Sequence, residues 1–398
     1  MPSALPDGEN WPGNNKLGAL APGERSFHAY VHIPFCEVRC GYCDFNTYTQ
    51  DEIGEVSQSK FHEALISEIE FSAGVLRDSK VPARPLASIF FGGGTPSLFQ
   101  PAQIEAIINS LAERFGLAAD CEVTLEANPE SLLLEHLDEL QAAGVNRISF
   151  GVQSFAPDVL QVLDRQHNPA KVPPLVSAAK AVGFRTSLDL IYGSPGDSLE
   201  SWQRTVAQAI ELGTGHISAY SLIVEPGTKM HRLISSGKLA AVDEDLNAQK
   251  YEHMTQAFES AGLEFYEVSN FGDPSRHNLA YWNSQDWWGY GPGAHSHIAG
   301  NRFWNRKHPV AYQASLKKGS PAAGIEKLSE RQRLEEELML GLRTKFGVRR
   351  ELFQQLEVDP AKVATQIGRG LLVPTQDRIV LTAAGRLLAD GLVVDFLN

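Results

Sequence analysis

The sequence predicts an α/β fold, an open or partial (β/α)6-type barrel followed by a smaller, mainly helical C-terminal domain of winged-helix-like character. Three observations indicate this class. Short apolar runs alternate with longer segments of helical period from Phe27 to about Val224, and this alternation occurs six times. Such repeats are typical of strand–helix units around a parallel sheet. The chain then ends in helical patterns followed by a small predicted hairpin.

Each predicted strand is a short apolar run, and each predicted helix places apolar residues at steps of three and four. The strands are His28–Ile33, Ala87–Phe91, Glu122–Glu126, Arg147–Val152, Thr186–Ile191 and His216–Leu222. The helices are Phe61–Leu76, Ile104–Phe115, Leu132–Ala143, Val172–Val182 and Trp202–Leu212. Six such units in succession predict the partial barrel at residues 27–227.

The remaining segments divide into a tail, an extension and a C-terminal unit. Residues 1–26 are rich in Pro, Gly, Asn and Ala without periodicity, which predicts a flexible tail. Residues 228–324 form a barrel extension with a helix near Asn247–Ala261 and an aromatic, Gly-rich stretch at Tyr266–His297. The elements predicted in 325–398 are a helix around Glu335–Lys345, short helices to about Ile367, a strand pair Leu371–Val373 and Arg378–Leu381, and a final helix from Thr382.

Composition limits the classes of function. The chain carries 35 Lys+Arg against 48 Asp+Glu, a net charge of −13, and this acidity opposes nucleic-acid binding. No run approaches the roughly 18 apolar residues of a membrane span, and the N-terminus lacks a basic start with an apolar block. We therefore expect a cytoplasmic protein.

Functional groups of a parallel barrel collect where the strands end, because the loops there can vary without disturbing the packed interior. Polar residues and glycines follow or terminate the predicted strands of this chain. They are Cys36, Gly92–Thr95, Glu126 with Asn128, Gln153, Asp189 with Tyr192, and Tyr220 with Glu225. Because they all fall at the same rim of the predicted barrel, we expect the functional site there.

Three of the four cysteines, Cys36, Cys40 and Cys43, form a CxxxCxxC motif after the first predicted strand. This clustering favours a metal site in a reducing compartment over a disulfide framework. Three thiolates on one loop can hold three irons of a cubane cluster and leave the fourth iron open. Structural zinc is the alternative, but it usually takes four ligands in paired spacings, and no second pair exists. Cys121 is interpreted as a small buried hydrophobe.

The cysteine loop resembles the signature of radical S-adenosylmethionine (SAM) proteins. The segment Tyr30–Cys36, YVHIPFC, is similar to the oxygen-independent coproporphyrinogen oxidase superfamily, and the similarity runs from about Ala29 to Leu397. The resemblance implies a radical SAM barrel with a [4Fe–4S] cluster on the three cysteines and SAM beside it.

The same resemblance assigns the SAM-binding positions. The glycines of Phe91–Pro96 let a ligand lie against bare backbone, as in the methionine-binding segment of the family. Glu126 resembles the carboxylate that grips the ribose hydroxyls. The implied positions are Tyr30, Tyr42, Gly93, Gly94, Thr95, Glu126, Gln153, Arg165 and Asp189. Taken alone, a charged residue at a strand end is often a solvated or capping group.

Two features separate haem carriers from oxidases in this superfamily. Coproporphyrinogen dehydrogenases have a further cysteine where this chain has Phe45, whereas HemW-type haem chaperones have the CDFN-like version. His277, Asn278 and Tyr281 form an HNxxY motif, which the resemblance implicates in holding haem. Neutral imidazole is a common axial ligand of haem iron. The alternative is a loop histidine among core aromatics.

The sequence therefore predicts a haem chaperone that binds a [4Fe–4S] cluster, SAM and haem, and delivers haem to respiratory haem proteins. No catalytic residue is assigned. An oxygen-independent coproporphyrinogen III oxidase is the alternative, and radical-SAM RNA modification is disfavoured by the acidity. The expected partners are haem and its recipients, with no nucleic acid. A homodimer and a peripheral membrane contact through the recipients stay open.

Overall fold

The computed structural model describes residues 6–398. Within them the main sheet has twelve strands in the order β12-β11-β10-β9-β1-β2-β3-β4-β5-β6-β8-β7. Strands β1 to β6 are parallel neighbours in chain order. The barrel elements are β1 (Phe27–Ile33), α1 (Gln50–Ile53), α2 (Phe61–Asp78), β2 (Leu86–Gly93), α3 (Pro101–Phe115), β3 (Leu117–Ala127), α4 (Leu137–Ala142), β4 (Arg147–Gln153), α5 (Pro157–Val162), α6 (Val172–Val182), β5 (Arg185–Tyr192), α7 (Leu199–Glu211) and β6 (His216–Ser221).

The predicted α/β class and the six barrel strands are confirmed. The predicted helix Leu132–Ala143 is shorter, because a 3-10 turn at Leu134–His136 precedes α4. Helix α5 was not predicted, since its six residues are too few to show a helical period.

The strands of the barrel have two different faces, as β4 illustrates. Ile148, Phe150 and Val152 are fully buried in the apolar core that the strands share with the surrounding helices. Arg147 and Ser149 point the other way and line the interior cavity. Because side chains alternate along a strand, one face is covered by helices while the other presents polar groups to the site.

The extension continues the sheet beyond both edges of the barrel. Strand β9 pairs parallel to β1, and β8 pairs antiparallel to β6. The sequence indicated only an aromatic, Gly-rich stretch here. The elements are α8 (Lys229–Ser235), α9 (Glu244–Ser260), β7 (Phe265–Glu267), β8 (Asn270–Gly272), α10 (Arg276–Trp282), β9 (Asp286–Tyr290), β10 (His295–Ile298), β11 (Asn301–Asn305), α11 (Pro309–Leu316) and β12 (Ala322–Lys327).

The predicted flexible tail needs a correction. Its residues 1–5 lie outside the described part of the chain. In the remainder, Glu9 exchanges two backbone hydrogen bonds with Ile325 of β12, at 2.8 and 3.0 Å. Trp11 packs against Phe303, and Leu17 is buried. These apolar side chains attach residues 6–26 to the sheet.

The C-terminal unit has its own apolar core, built by α12 and the elements after it. Ile325 belongs to β12 of the main sheet, so the unit begins later than the expected 325. Its three strands, in the order β13-β15-β14, include the predicted hairpin. The elements are α12 (Glu330–Leu342), β13 (Val348–Arg349), α13 (Arg350–Gln355), α14 (Pro360–Gly368), β14 (Leu372–Pro374), β15 (Arg378–Leu381), α15 (Ala383–Arg386) and α16 (Ala389–Leu397). Among residues 6–398, no helix has the length and apolarity needed to cross a bilayer.

Candidate functional site

A cavity of about 800 Å³ occupies the interior of the barrel and opens at the C-terminal ends of β1 to β6. All fifteen residues that the sequence assigned to the cluster, SAM or haem line it. These residues are Tyr30, Cys36, Cys40, Tyr42, Cys43, Gly93, Gly94, Thr95, Glu126, Gln153, Arg165, Asp189, His277, Asn278 and Tyr281. Gly92 and Tyr192, also expected on the rim, do not line the cavity. Tyr192 is buried and packs against Trp202.

The cysteine loop lies at the mouth of this cavity. The Cys43 amide donates to the Cys40 carbonyl at 3.2 Å, which closes a turn. Burial raises the pKa of Cys36, and it raises the pKa of Cys43 to about 11. All four cysteines are unpaired, and Cys121 is buried away from the cavity lining, as predicted.

The three thiols line one volume, as the ligands of a multi-iron cluster must. No three Cys, His, Asp or Glu side chains among residues 6–398 converge on a point suited to one metal ion. In an iron–sulfur cubane each thiolate binds a separate iron, so the sulfurs need to surround a shared volume rather than one point. The three cysteines do line one cavity.

A row of polar side chains connects two of the thiols. Thr95 Oγ1 lies 3.8 Å from Cys36 Sγ and accepts from Asn128 Nδ2 at 3.1 Å. Arg165 Nη2 donates to Asn128 Oδ1 at 2.8 Å, and its Nη1 lies 3.8 Å from Cys40 Sγ. The sequence placed Asn128 on the rim but gave no signal that it joins these groups.

Packing requires glycine at positions 93 and 94, at the end of β2. Gly93 has φ +111°, and a Cβ there would lie 2.5 Å from the His32 ring. A Cβ on Gly94 would lie 2.4 Å from the Phe35 carbonyl oxygen. The glycine segment therefore lets the cysteine loop fold down onto β2.

Two carboxylates face the cavity from neighbouring strands. Glu126 Oε2 accepts from the Gly93 amide at 3.2 Å, and Asp189 Oδ2 accepts from Ser149 Oγ at 2.9 Å. Burial and, secondarily, the Asp189 charge raise the pKa of Glu126 to about 8. Burial also raises the pKa of Asp189. Groups of this kind can accept hydrogen bonds from ligand hydroxyls.

Gln153 ends β4 with φ +63°, at a point where the β4–β5 register shifts. A left-handed conformation costs a non-glycine residue roughly 1–2 kcal/mol. This backbone conformation places Gln153 at the cavity wall, where the sequence predicted it.

The HNxxY motif lies on α10 inside the barrel. Glu122 Oε1 accepts from the Arg276 amide at 2.8 Å, and Glu122 is itself paired with buried Arg147 at 3.1 Å. This buried pair connects the N-terminus of α10 to the middle of β3 and the start of β4. Asn278 Nδ2 donates to Tyr266 Oη at 3.2 Å and to Glu267 Oε1 at 3.1 Å.

His277 is therefore a helical residue and not a loop histidine. It is 1% exposed, and its ring stacks on Phe90 at 5.2 Å. Nδ1 lies 2.8 Å from Ser88 Oγ, and Nε2 lies 2.9 Å from Tyr281 Oη. Burial lowers the pKa of His277 well below its usual range, so the ring is neutral. It is packed among aromatics and also lines the cavity.

Comparison with known proteins identifies the family. Residues 30–209 match the model of the Radical SAM superfamily, and residues 328–388 match that of the HemN C-terminal domain. The chain is 42% identical over 389 residues to heme chaperone HemW of Mycobacterium tuberculosis, covering 96% of this chain and 98% of the relative. This chain belongs to the HemW family of heme chaperones. HemW of Bacillus subtilis is 35% identical over 384 residues, covering 93% and 99% of the two chains.

The HemW family shares its fold with an oxidase. The structure of coproporphyrinogen III oxidase (HemN) from Escherichia coli, described as a radical SAM enzyme, matches with a TM-score of 0.79 and 25% identity over 94% of this chain and 90% of that chain. Membership of the radical SAM superfamily implies a [4Fe–4S] cluster and SAM as cofactors. Phe45 of this HemW-family chain is 65% exposed at the cavity mouth.

Proposed function

We propose that the protein is a haem chaperone that binds a [4Fe–4S] cluster, SAM and haem, and delivers haem to respiratory haem proteins. One structural observation carries the proposal. Three thiols at the mouth of a cavity and a neutral imidazole inside it line the same volume. The names of the HemW relatives support haem as the cargo.

Cys36, Cys40 and Cys43 would hold the cluster, whose open iron can chelate the amino and carboxylate groups of SAM. Thr95 and Arg165 donate toward two of the sulfurs and would raise the reduction potential of a cluster held there. Glu126 and Asp189 are placed to accept from ribose hydroxyls. The remaining proposed SAM contacts are Tyr30, Tyr42, Gly93, Gly94 and Gln153.

His277 is the proposed axial ligand of haem, with Tyr281 and Asn278 beside it. Its pKa leaves the imidazole neutral, the form that binds iron. Haem binding requires Nε2 to exchange the Tyr281 hydroxyl for iron, while the stacking on Phe90 keeps the ring in place.

The proposed setting is the cytoplasm. Four unpaired cysteines suit a reducing compartment, where thiolates stay available to iron. Haem and the recipient haem proteins are the proposed partners, with membrane contact only through the recipients. We also propose that the protein forms a homodimer. Light scattering on the cluster-loaded protein would measure its molar mass and so test this.

The second candidate is an oxygen-independent coproporphyrinogen III oxidase, which the match to the Escherichia coli enzyme favours. Phe45 argues against it, because the resemblance places a further cysteine there in the dehydrogenases. At this position the cavity mouth therefore has an exposed apolar ring and lacks the additional thiol.

The decisive experiment is haem titration of the anaerobically reconstituted protein, followed by an assay of vinyl formation from coproporphyrinogen III with a reductant. Stoichiometric haem binding without decarboxylation supports the chaperone. Turnover to the vinyl product would instead establish the oxidase. The same preparation serves both arms, so a difference in cluster content cannot explain the outcome.

A further inference from the structure

A row of hydrogen bonds leads from His277 along the inner face of the barrel toward the N-terminal ends of β1 and β2. Ser88 Oγ lies 2.8 Å from His277 Nδ1 and 2.7 Å from His28 Nδ1. His28 Nε2 lies 2.7 Å from Ser26 Oγ. Ser88 and His28 are 0% and 3% exposed, so the middle of the row is closed to water.

The outer end of the row is fixed by Gln285. The Ser26 amide donates to Gln285 Oε1 at 2.8 Å, and Ser26 Oγ lies 3.1 Å from the same oxygen. Because a backbone N–H only donates, the Gln285 atom that it reaches is the oxygen and not the amide nitrogen. Gln285 Nε2 in turn donates to the Asn283 carbonyl at 2.9 Å. Ser26, His28 and Gln285 line a separate small cavity at this end of the strands.

The hydroxyl of Ser88 carries a single hydrogen, so it donates to one Nδ1 and accepts from the other. If Ser26 donates to Gln285, then His28 Nε2–H donates to Ser26 and His28 Nδ1 accepts from Ser88. Ser88 then accepts from His277 Nδ1–H, and Nε2 of His277 accepts from the Tyr281 hydroxyl.

The opposite direction makes fewer hydrogen bonds. Ser26 would give its hydrogen to His28, and its Oγ would no longer donate to Gln285 Oε1. His277 Nε2–H would donate to Tyr281, whose hydroxyl has no other hydrogen-bond partner within residues 6–398. An unused donor costs about 1–3 kcal/mol where it is buried, and the cost is smaller for Tyr281, which lines the cavity. The network therefore assigns the hydrogen of His277 to Nδ1.

We propose that Ser88 and His28 are positioning residues for haem, holding His277 in the tautomer whose bare Nε2 faces Tyr281 and the cavity. The inference rests on the proposed function, in which His277 binds haem iron. An imidazole binds iron through a bare nitrogen, and a hydrogen bond from its other N–H fixes the ring and raises its basicity. Tyr281 caps Nε2 until haem iron displaces its hydroxyl.

The test compares haem binding by Ser88→Ala, His28→Leu and His28→Asn in the full-length, cluster-reconstituted protein. Resonance Raman spectra of the ferrous haem complex report the iron–histidine stretch, and a redox titration reports the haem potential. Ser88→Ala and His28→Leu are expected to weaken haem binding about tenfold, lower the stretching frequency and raise the potential, since the ligand becomes less basic. His28→Asn keeps an acceptor for the Ser88 hydroxyl and should stay close to wild type.

Ser110→Ala is the matched control, because Ser110 is a buried serine of α3 outside the cavity lining. Wild-type affinity and stretching frequency in both Ser88→Ala and His28→Leu, with His277→Ala still abolishing the band, would overturn the positioning role alone. Unchanged haem binding in His277→Ala would instead overturn the proposed haem site. If Ser88→Ala does not fold, the comparison of His28→Leu with His28→Asn decides, because equal spectra in these two variants contradict the inference.

Discussion

Arg165 Nη1 lies 3.8 Å from Cys40 Sγ, although the two residues are 125 positions apart in the chain. The same guanidinium donates through Nη2 to Asn128 Oδ1 and to the Gly151 carbonyl, both at 2.8 Å. These bonds fix the guanidinium, so its charge is held at the sulfur. The resemblance implied only a SAM contact for Arg165, whereas the geometry also connects it to the cluster loop.

Arg165→Met should make the reduction potential of the reconstituted cluster more negative while the cluster stays bound. The substitution removes a positive donor beside Cys40 Sγ, and hydrogen bonds to sulfur favour the reduced cluster. An EPR-monitored redox titration measures the shift. Arg114→Met, at an exposed site on α3, is the control and should keep the wild-type potential. An unchanged potential in Arg165→Met would show that this contact does not influence the reduction potential of the cluster.

Cys40→Ser should abolish the visible absorbance of the iron–sulfur cluster, because one of its three thiolate ligands is lost. Cys121→Ala should retain it, because Cys121 is buried away from the cavity lining. Iron and sulfide analysis of both purified variants gives the comparison. Equal iron content in the two would contradict the assignment of the cluster to this loop.

His277→Ala should weaken haem binding by about tenfold or more, since the loss of a second-shell partner alone costs about 10- to 100-fold. The cluster spectrum should remain, because His277 touches none of the three cysteines and contacts Ser88, Phe90 and Tyr281 instead. A haem titration followed by Soret absorbance measures the affinity. His253→Ala on α9, outside the cavity lining, is the matched control.

Arg147→Met should lower the free energy of unfolding by about 1–3 kcal/mol, since it removes a buried hydrogen-bonding cation and leaves Glu122 only the half-exposed Arg185, at 2.9 Å, as its ion-pair partner. The side chains of Arg147 and Glu122 are 2% and 0% exposed. Urea unfolding of the purified variant gives the change. The double variant Arg147→Met with Glu122→Gln should recover part of the loss, and no recovery would mean that the pair acts through packing.

The stability of the SAM-free protein should fall as the pH rises from about 5 to about 9. The ordinary pKa of a glutamate is 4.5, and burial raises that of Glu126 to about 8, so the folded state binds a proton that the unfolded state has released. Glu126→Gln should remove part of this decline. Urea unfolding at the two pH values tests it, with exposed Glu135→Gln as the control. Identical pH profiles in the wild type and Glu126→Gln would contradict the raised pKa.

The sequence by itself determined the barrel strands, the cysteine motif and the rim on which the site residues gather. Local patterns carry these features, because a strand such as Arg147–Gln153 alternates its buried and cavity-facing residues within seven positions. A thiolate motif likewise contains its ligands within one loop.

Only the tertiary structure decided the rest, because the deciding contacts join distant segments. Trp11 packs against Phe303 of β11, and Glu9 pairs with Ile325 of β12. These contacts attach the predicted tail to strands about 300 positions later in the chain. The short strands β9 to β12 lack a clear alternation and form because they extend the edge at β1. His277 and Ser88 are 189 positions apart, so no local pattern could reveal which nitrogen of the imidazole carries its hydrogen.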